Sequence, residues 1–151
     1  MIIYTDGACR ANGKASAVGG FGVVILDDNE QLIDTYSKHC EGTTNNKEEI
    51  KAILYAMLKY GKKLNNFDDN PPIVYSDSAY CINTFNNWMF CWANNGWIKS
   101  DKKIPENLEI IQAYYNHYQR GYRIDLRKVK GHSGNRWNEL ADKLATGNVK
   151  A

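Results

Sequence analysis

Apolar positions recur along this chain with two different periods. Ile2-Ile3-Tyr4-Thr5 opens as a short apolar run, Phe21–Leu26 follows a pair of glycines, and Gln31–Cys40 reads as a third strand. With Asp27-Asp28-Asn29 as a turn, these segments predict an antiparallel meander. From Asn45 to Tyr60 the period becomes helical, with Ile50, Ile53, Leu54, Met57 and Leu58 on one stripe. Asn45 with Glu48 three residues on predicts a capping box, and Gly61 a stop. Residues 65–72 form a loop. Ile73-Val74-Tyr75 predicts a strand that ends at Ser76-Asp77-Ser78, where a helix over Ala79–Asn86 opens. Trp88–Trp97 is helical and stopped by Asn95-Gly96; Lys99–Pro105 is a charged connector. Glu106–Tyr118 is a helix with Ile111, Tyr114, Tyr115 and Tyr118 on one face. Tyr122–Val129 is the last strand, Gly131–Gly134 a loop, and Asn135–Thr146 a closing helix that buries Trp137, Leu140, Ala141, Leu144 and Ala145. This order predicts an α/β domain with a mixed sheet and helices packed on it. There is no repeat, linker or low-complexity segment, so residues 1–151 are expected to be a single domain.

Composition narrows the picture only slightly. Nineteen basic against 17 acidic residues give a formal charge of +2, so any nucleic-acid partner must be met by a local patch. Ten Tyr and four Trp leave aromatics to spare for stacking on bases or sugars. Cys9, Cys40, Cys81 and Cys91 are scattered without zinc spacing, which predicts reduced and mostly buried thiols. No apolar run nears the ~20 residues of a membrane helix, and the chain enters a strand with no signal-peptide pattern. A cytoplasmic protein with no membrane contact is expected.

The candidate chemistry lies in acidic residues at the edges of predicted elements. Asp6 stands at the end of the first strand, where Gly7 permits a sharp turn; a lone Asp there is ordinarily a turn former. Asp77 ends the strand over 73–75. Sites in open α/β sheets form outside the carboxyl ends of such strands, so parallel neighbours would set the two carboxylates side by side. At ~100° per residue, Glu49 falls at the stripe edge facing the sheet, and Glu48 on the opposite, solvated side. Asp142 lies off the buried stripe of the last helix, on the flank shared with Asn138, and pattern alone makes it a surface residue. Carboxylates gathered from four such places repel one another, and a divalent cation is the usual remedy.

Five blocks together resemble ribonuclease H of type 1. They are Asp6-Gly7-Ala8-Cys9, Thr43-Thr44-Asn45-Asn46-Lys47-Glu48-Glu49, Ser76-Asp77-Ser78, Trp88 to Asn95-Gly96-Trp97, and Val129-Lys130-Gly131-His132-Ser133-Gly134 running into Asn138-Glu139-Leu140-Ala141-Asp142-Lys143-Leu144-Ala145. They keep family order and spacing over nearly the whole chain. The resemblance implies a ribonuclease H-like fold: a five-stranded mixed sheet, strands 1–3 an antiparallel meander, strands 4 and 5 parallel to strand 1, helices on both faces. It implies an endonuclease that cuts the RNA strand of RNA–DNA hybrids. Asp6, Glu49, Asp77 and Asp142 would hold two Mg²⁺ ions, roughly 3.5–4 Å apart, with Mn²⁺ as a substitute. The products would carry 5′-phosphate and 3′-hydroxyl ends. His132 rides a loop, where a histidine without function is the ordinary reading; the resemblance gives it a part in proton transfer or product departure.

Substrate contacts follow from the same resemblance. Gly7, Cys9, Asn12, Asn45 and Asn46 match positions that read the RNA strand, where a wide minor groove exposes the 2′-hydroxyls. Asn45 can serve as helix cap as well. Thr44, Tyr80, Trp88, Ser100 and Asn107 match positions on the DNA strand, with Thr44 at a helix start suited to phosphate. Trp88, Trp92 and Trp97 can also be read as core, Trp92 most readily. Some members carry Arg where Gly42 stands, so the phosphate pocket is expected to be weaker. The region from Trp88 to Lys103 keeps the length of a basic handle, but its charge is confined to Lys99, Lys102 and Lys103 around Asp101. Hybrid binding with a shallow salt dependence is expected, from a monomer of low processivity with no separate hybrid-binding domain ahead of Met1. Rival readings are a non-catalytic hybrid-binding module and another nuclease or strand-transfer enzyme of the same broad fold. A small-molecule enzyme lacks support, because neither G-x-G-x-x-G nor a P-loop occurs. His132→Ala should lower turnover strongly with little change in KM; an unchanged kcat would refute the role given to His132.

Overall fold

The computed structural model describes residues 1–10, 17–64, 70–129 and 135–147. Strands β1 (Ile2–Arg10), β2 (Val18–Leu26) and β3 (Leu32–Glu41) form the meander, followed by helix α1 (Asn45–Tyr60). Then come β4 (Lys62–Lys63), β5 (Ile73–Ser76), α2 (Ala79–Asn83), a π-helical turn (Thr84–Trp88) and α3 (Met89–Asn94). Helix α4 (Leu108–Gln119), β6 (Tyr122–Arg123), β7 (Asp125–Lys128) and α5 (Arg136–Thr146) complete the order. The main sheet has five strands in the order β3-β2-β1-β5-β7, with β5 parallel to both β1 and β7. The expected mixed sheet is therefore observed.

Alternation along the central strands divides the core between the two faces. Ile3, Phe21, Val23 and Ile25 pack with Ile50, Ile53 and Met57 of α1 and with Phe85, Ile111 and Tyr114. Tyr4, Val24 and Leu26 pack with Ala141 and Leu144 of α5 on the other side. Asp6, two residues beyond Tyr4, points to the α5 side. Parallel pairing sets Tyr4 opposite Tyr75, so Asp6 and Asp77 stand equally far along neighbouring chains.

Several expectations need correcting. Asp6 and Gly7 are not at a strand end: the ladder with β2 runs on to Arg10 opposite Val18. Gly7 makes no turn. It is bare so that α1 can press against β1, since a Cβ there would lie 2.8 Å from Glu49 Cα and closer still to the Glu49 nitrogen. The cap of α1 is Thr44, not Asn45; its hydroxyl accepts from the Lys47 N–H at 3.1 Å. Glu48 is not solvated. It is fully buried, accepts from the Thr43 hydroxyl at 2.6 Å and pairs with Lys51 at 2.7 Å. Its Cγ packs beneath bare Gly19.

The helix expected to break between Asn86 and Trp88 instead continues through the π turn, where the Met89 N–H donates to Thr84 O. Trp88, the last residue of that turn, is 43% exposed. The last strand splits at Ile124, because Tyr122 and Arg123 pair with β4 while β7 pairs with β5. All four cysteines are free thiols, but only Cys81 is buried and Cys91 is exposed. Gly7→Ala should destabilise the fold by roughly 1–3 kcal/mol through overpacking, read as a lower Tm. An unchanged Tm would show that α1 does not need this close approach.

Candidate metal centre and nucleic-acid interface

The parallel pairing of β1 with β5, the bare backbone at Gly7 and the packing of α5 converge on one cleft of about 440 Å³. Asp6, Glu49, Asp77 and Asp142 all line it. Asp6, Glu49 and Asp77 each offer a carboxylate oxygen within 4.8 Å of the other two. Asp142 lines the same cleft, near enough to help hold the Asp6 carboxyl above its ordinary value. The flank of α5 shared with Asn138 therefore faces the sheet: Asn138 is 2% exposed, and Asp142 is half-buried. The expectation from pattern alone, a surface Asp142, fails because α5 lies against glycines of β2 and brings this flank down to β1.

Electrostatics make the cluster costly without a cation. Asp6 is 3% exposed. Burial first, then the charge of Asp77, pushes its carboxyl up to about 8, with Glu49 acting against the shift; the Gly7 N–H donates to Asp6 Oδ1 at 2.9 Å. Burial, then the charges of Asp6 and Asp77, pushes Glu49 up to about 10. Glu49 Oε2 is buried without a hydrogen-bond partner. A desolvated set of hard oxygen donors, one of them an orphan, fits Mg²⁺ or a similar divalent ion.

Residues matched to the RNA strand surround this cleft. Gly7, Cys9, Asn45 and Asn46 line it. The Cys9 thiol is held to the carbonyl oxygen of Thr43 at 3.4 Å, which couples β1 to the start of α1. Asn46 also lines a second groove of about 480 Å³ with Tyr80, Trp88 and Ser100, so the two clefts meet there. The Asn107 amide donates to the Tyr80 hydroxyl at 3.1 Å. Asn107 adopts a left-handed φ of 59° at the start of α4 and makes no side-chain cap. Thr44 is exposed at the α1 N-terminus, its hydroxyl engaged as the cap. Trp92, expected as core, packs against the core and also lines the groove. Asn12 and His132 lie outside the described residues.

Ser78 and Glu106 are among the lining residues that the sequence did not mark. Ser78 lines the carboxylate cleft while its hydroxyl caps α2, accepting from the Cys81 N–H at 3.2 Å; the Ser-Asp-Ser step before a helix was the available signal. Glu106 joins Asp101 in the second groove, opposite Lys99; read as the first residue of a helix, it carried no such signal.

The raised carboxyls set a stability profile. Unfolded, they titrate near their ordinary 3.8 and 4.5; folded, near 8 and 10. Above about pH 4 the unfolded chain gives up protons that the folded one retains, so stability falls with rising pH until the folded groups ionise. In chelator, Tm should fall from about pH 5 to pH 8, and millimolar Mg²⁺ should restore much of the loss at the upper end. Glu49→Gln should flatten the chelator profile; a profile as steep as the wild type's would contradict this origin.

The sequence matches the RNase H family profile over residues 1–150. It is 39% identical over 152 residues to a ribonuclease H of Acetivibrio thermocellus, covering 99% of this chain and 95% of that one. With a ribonuclease H of Caldanaerobacter subterraneus subsp. tengcongensis it shares 38% identity over 151 residues, 98% of this chain and 90% of the relative. Among solved structures, the PFV RNase H domain superposes with a TM-score of 0.79 at 25% identity, covering 97% of this chain and 92% of that one. LC11-RNase H1, solved in complex with an RNA/DNA hybrid, superposes with a TM-score of 0.67 at 25% identity, covering 97% and 94%. This chain belongs to the RNase H family.

Proposed function

We infer that this protein is an endoribonuclease acting on the RNA strand of RNA–DNA hybrids. The observation that carries the reading is the convergence of Asp6, Glu49 and Asp77 within 4.8 Å, with Asp142 lining the same cleft, at the junction with a groove lined by Tyr80 and Trp88. A relative in the same family has been solved with an RNA/DNA hybrid bound.

Asp6, Glu49, Asp77 and Asp142 would hold the divalent ions, Mg²⁺ in our reading with Mn²⁺ as a substitute. When bound, a pair of such ions supplies an acidified water for in-line attack and neutralises the leaving 3′-oxygen, which yields 5′-phosphate and 3′-hydroxyl ends. The chain's own part is placement. Asn45 and Asn46 present short amides that both donate and accept, suited to 2′-hydroxyls in a shallow minor groove. Gly7 and Cys9 line the same wall, and Asn12 would contact the RNA strand. Tyr80 and Trp88 offer apolar rings for deoxyribose, with Thr44, Ser100 and Asn107 for phosphate. His132 would move a proton or release product. Asp101 and Glu106 beside Lys99 favour modest affinity for the hybrid. The reading is of one catalytic domain, a cytoplasmic monomer; among the described residues no helix is long and apolar enough to cross a membrane.

A labelled RNA–DNA hybrid, duplex DNA and duplex RNA, each with and without Mg²⁺, test the reading. Cleavage confined to the RNA of the hybrid and dependent on the ion is expected; equal cleavage of duplex DNA would point to another nuclease of this fold. Asp77→Asn should lose more than the roughly 100-fold that outer-shell changes give at metal sites, while staying folded. Near-normal Mg²⁺-dependent cleavage by that variant would remove Asp77 from the centre.

A further inference from the structure

His39 lies outside the acidic centre and both grooves described above. It stands on the edge strand β3 opposite Gly20 of β2. Its imidazole crosses that glycine, and a Cβ at Gly20 would run into His39 Cδ2 and lie 2.8 Å from Ala145 O. Beyond Gly20, Nε2 reaches the carbonyl oxygen of Leu144 at 2.9 Å. A carbonyl only accepts, so Nε2 carries the proton and donates. Leu144 O belongs to the last turn of α5, where carbonyls have no partner further along the helix. Among the described residues its other donor is the Gly147 N–H, more distant at 3.4 Å. One side chain of the edge strand thus holds the end of this helix.

Helix α5 also rests on β2 at Gly22, where a Cβ would run into Ala141 O and lie 2.6 Å from Leu144 Cβ. Gly22 is the register partner of Asp6. Asp142, next to Ala141 and one turn before Ala145, lines the ion cleft together with Asp6. The other three carboxylates are carried by the sheet and α1, so repulsion within the cluster pushes α5 outward. Bare backbone at Gly20 and Gly22 permits the close approach; Tyr4, Val24 and Leu26 pack against Ala141 and Leu144, and the Asn135 amide donates to the Tyr4 hydroxyl at 3.2 Å at the N-terminal end of the helix, while His39 ties its C-terminal end.

We propose that His39 is a positioning residue for Asp142: its bond to Leu144 O fixes the height of α5 on the sheet, and with it the fourth carboxylate of the ion centre. This rests on the reading of Asp142 as an ion ligand.

The test compares wild type, His39→Ala, His39→Gln and Asp142→Asn, with the His39→Ala/Asp142→Asn double variant. Mg²⁺ binding to the hybrid-free protein is measured by calorimetry, beside Tm in chelator and steady-state cleavage. His39→Ala should weaken Mg²⁺ binding about fivefold, as loss of one hydrogen bond would. It should raise the Mg²⁺ needed for half-maximal rate to match, with KM for the hybrid unchanged at saturating ion. His39→Gln, which keeps an N–H donor, should return to within about twofold of wild type. In the Asp142→Asn background, His39→Ala should cause no further loss of ion affinity, since the two act as one unit. Equal Mg²⁺ binding by His39→Ala and wild type would overturn the role of His39 while leaving the ion centre standing, even if Tm fell. An undiminished effect in the Asp142→Asn background would do the same. A wild type that binds no Mg²⁺ would overturn the ion centre itself and the role of His39 within it.

Discussion

Mutual repulsion among carboxylates held out of water is the constraint on which this structure turns. Asp6 is 3% exposed, and Glu49 Oε2 has no partner. Left without a cation, the cluster retains protons that free carboxyls would have released. A fold optimised only for stability would keep these groups apart or solvate them. Here the parallel register of β1 and β5 and the docking of two helices from opposite faces force them together.

That docking is possible because strand backbone is bare where the helices arrive. Gly7 admits the α1 backbone at Glu49, and Gly22 admits the α5 backbone at Ala141. Both contacts flank Asp6, one by sequence and one by register. The ligands from α1, from α5 and from the residue just past β5 are thus placed around a single strand residue. Side-chain packing then stabilises each face separately, with Ile50, Ile53 and Met57 on one and Ala141 and Leu144 on the other.

Much of this was legible in the sequence. The span of α1 followed from its apolar stripe and Gly61, and the sheet from short apolar runs between turn residues. What escaped reading depended on partners distant in sequence. Strand β1 outlasts its apolar run because β2 continues to pair with it. Glu48 looked solvated on a helical wheel, which carries no information on Thr43, Lys51 or the bare Gly19 above it. Asp142 looked like surface for the same reason, and the family resemblance, not periodicity, marked it. The π turn left no compositional trace, and it ends on Trp88, which lines the groove.

The groove itself mixes signs. Lys99 stands with Asp101 and Glu106 around Tyr80, Trp88 and Trp92, so aromatic surface outweighs charge there. As an ion site, the carboxylate cluster should take up a divalent cation. Anomalous diffraction from crystals soaked in Mn²⁺ tests this most directly. Difference peaks within coordination distance of Asp6, Glu49 and Asp77 are predicted. An empty cluster in crystals that bind Mn²⁺ elsewhere would contradict it.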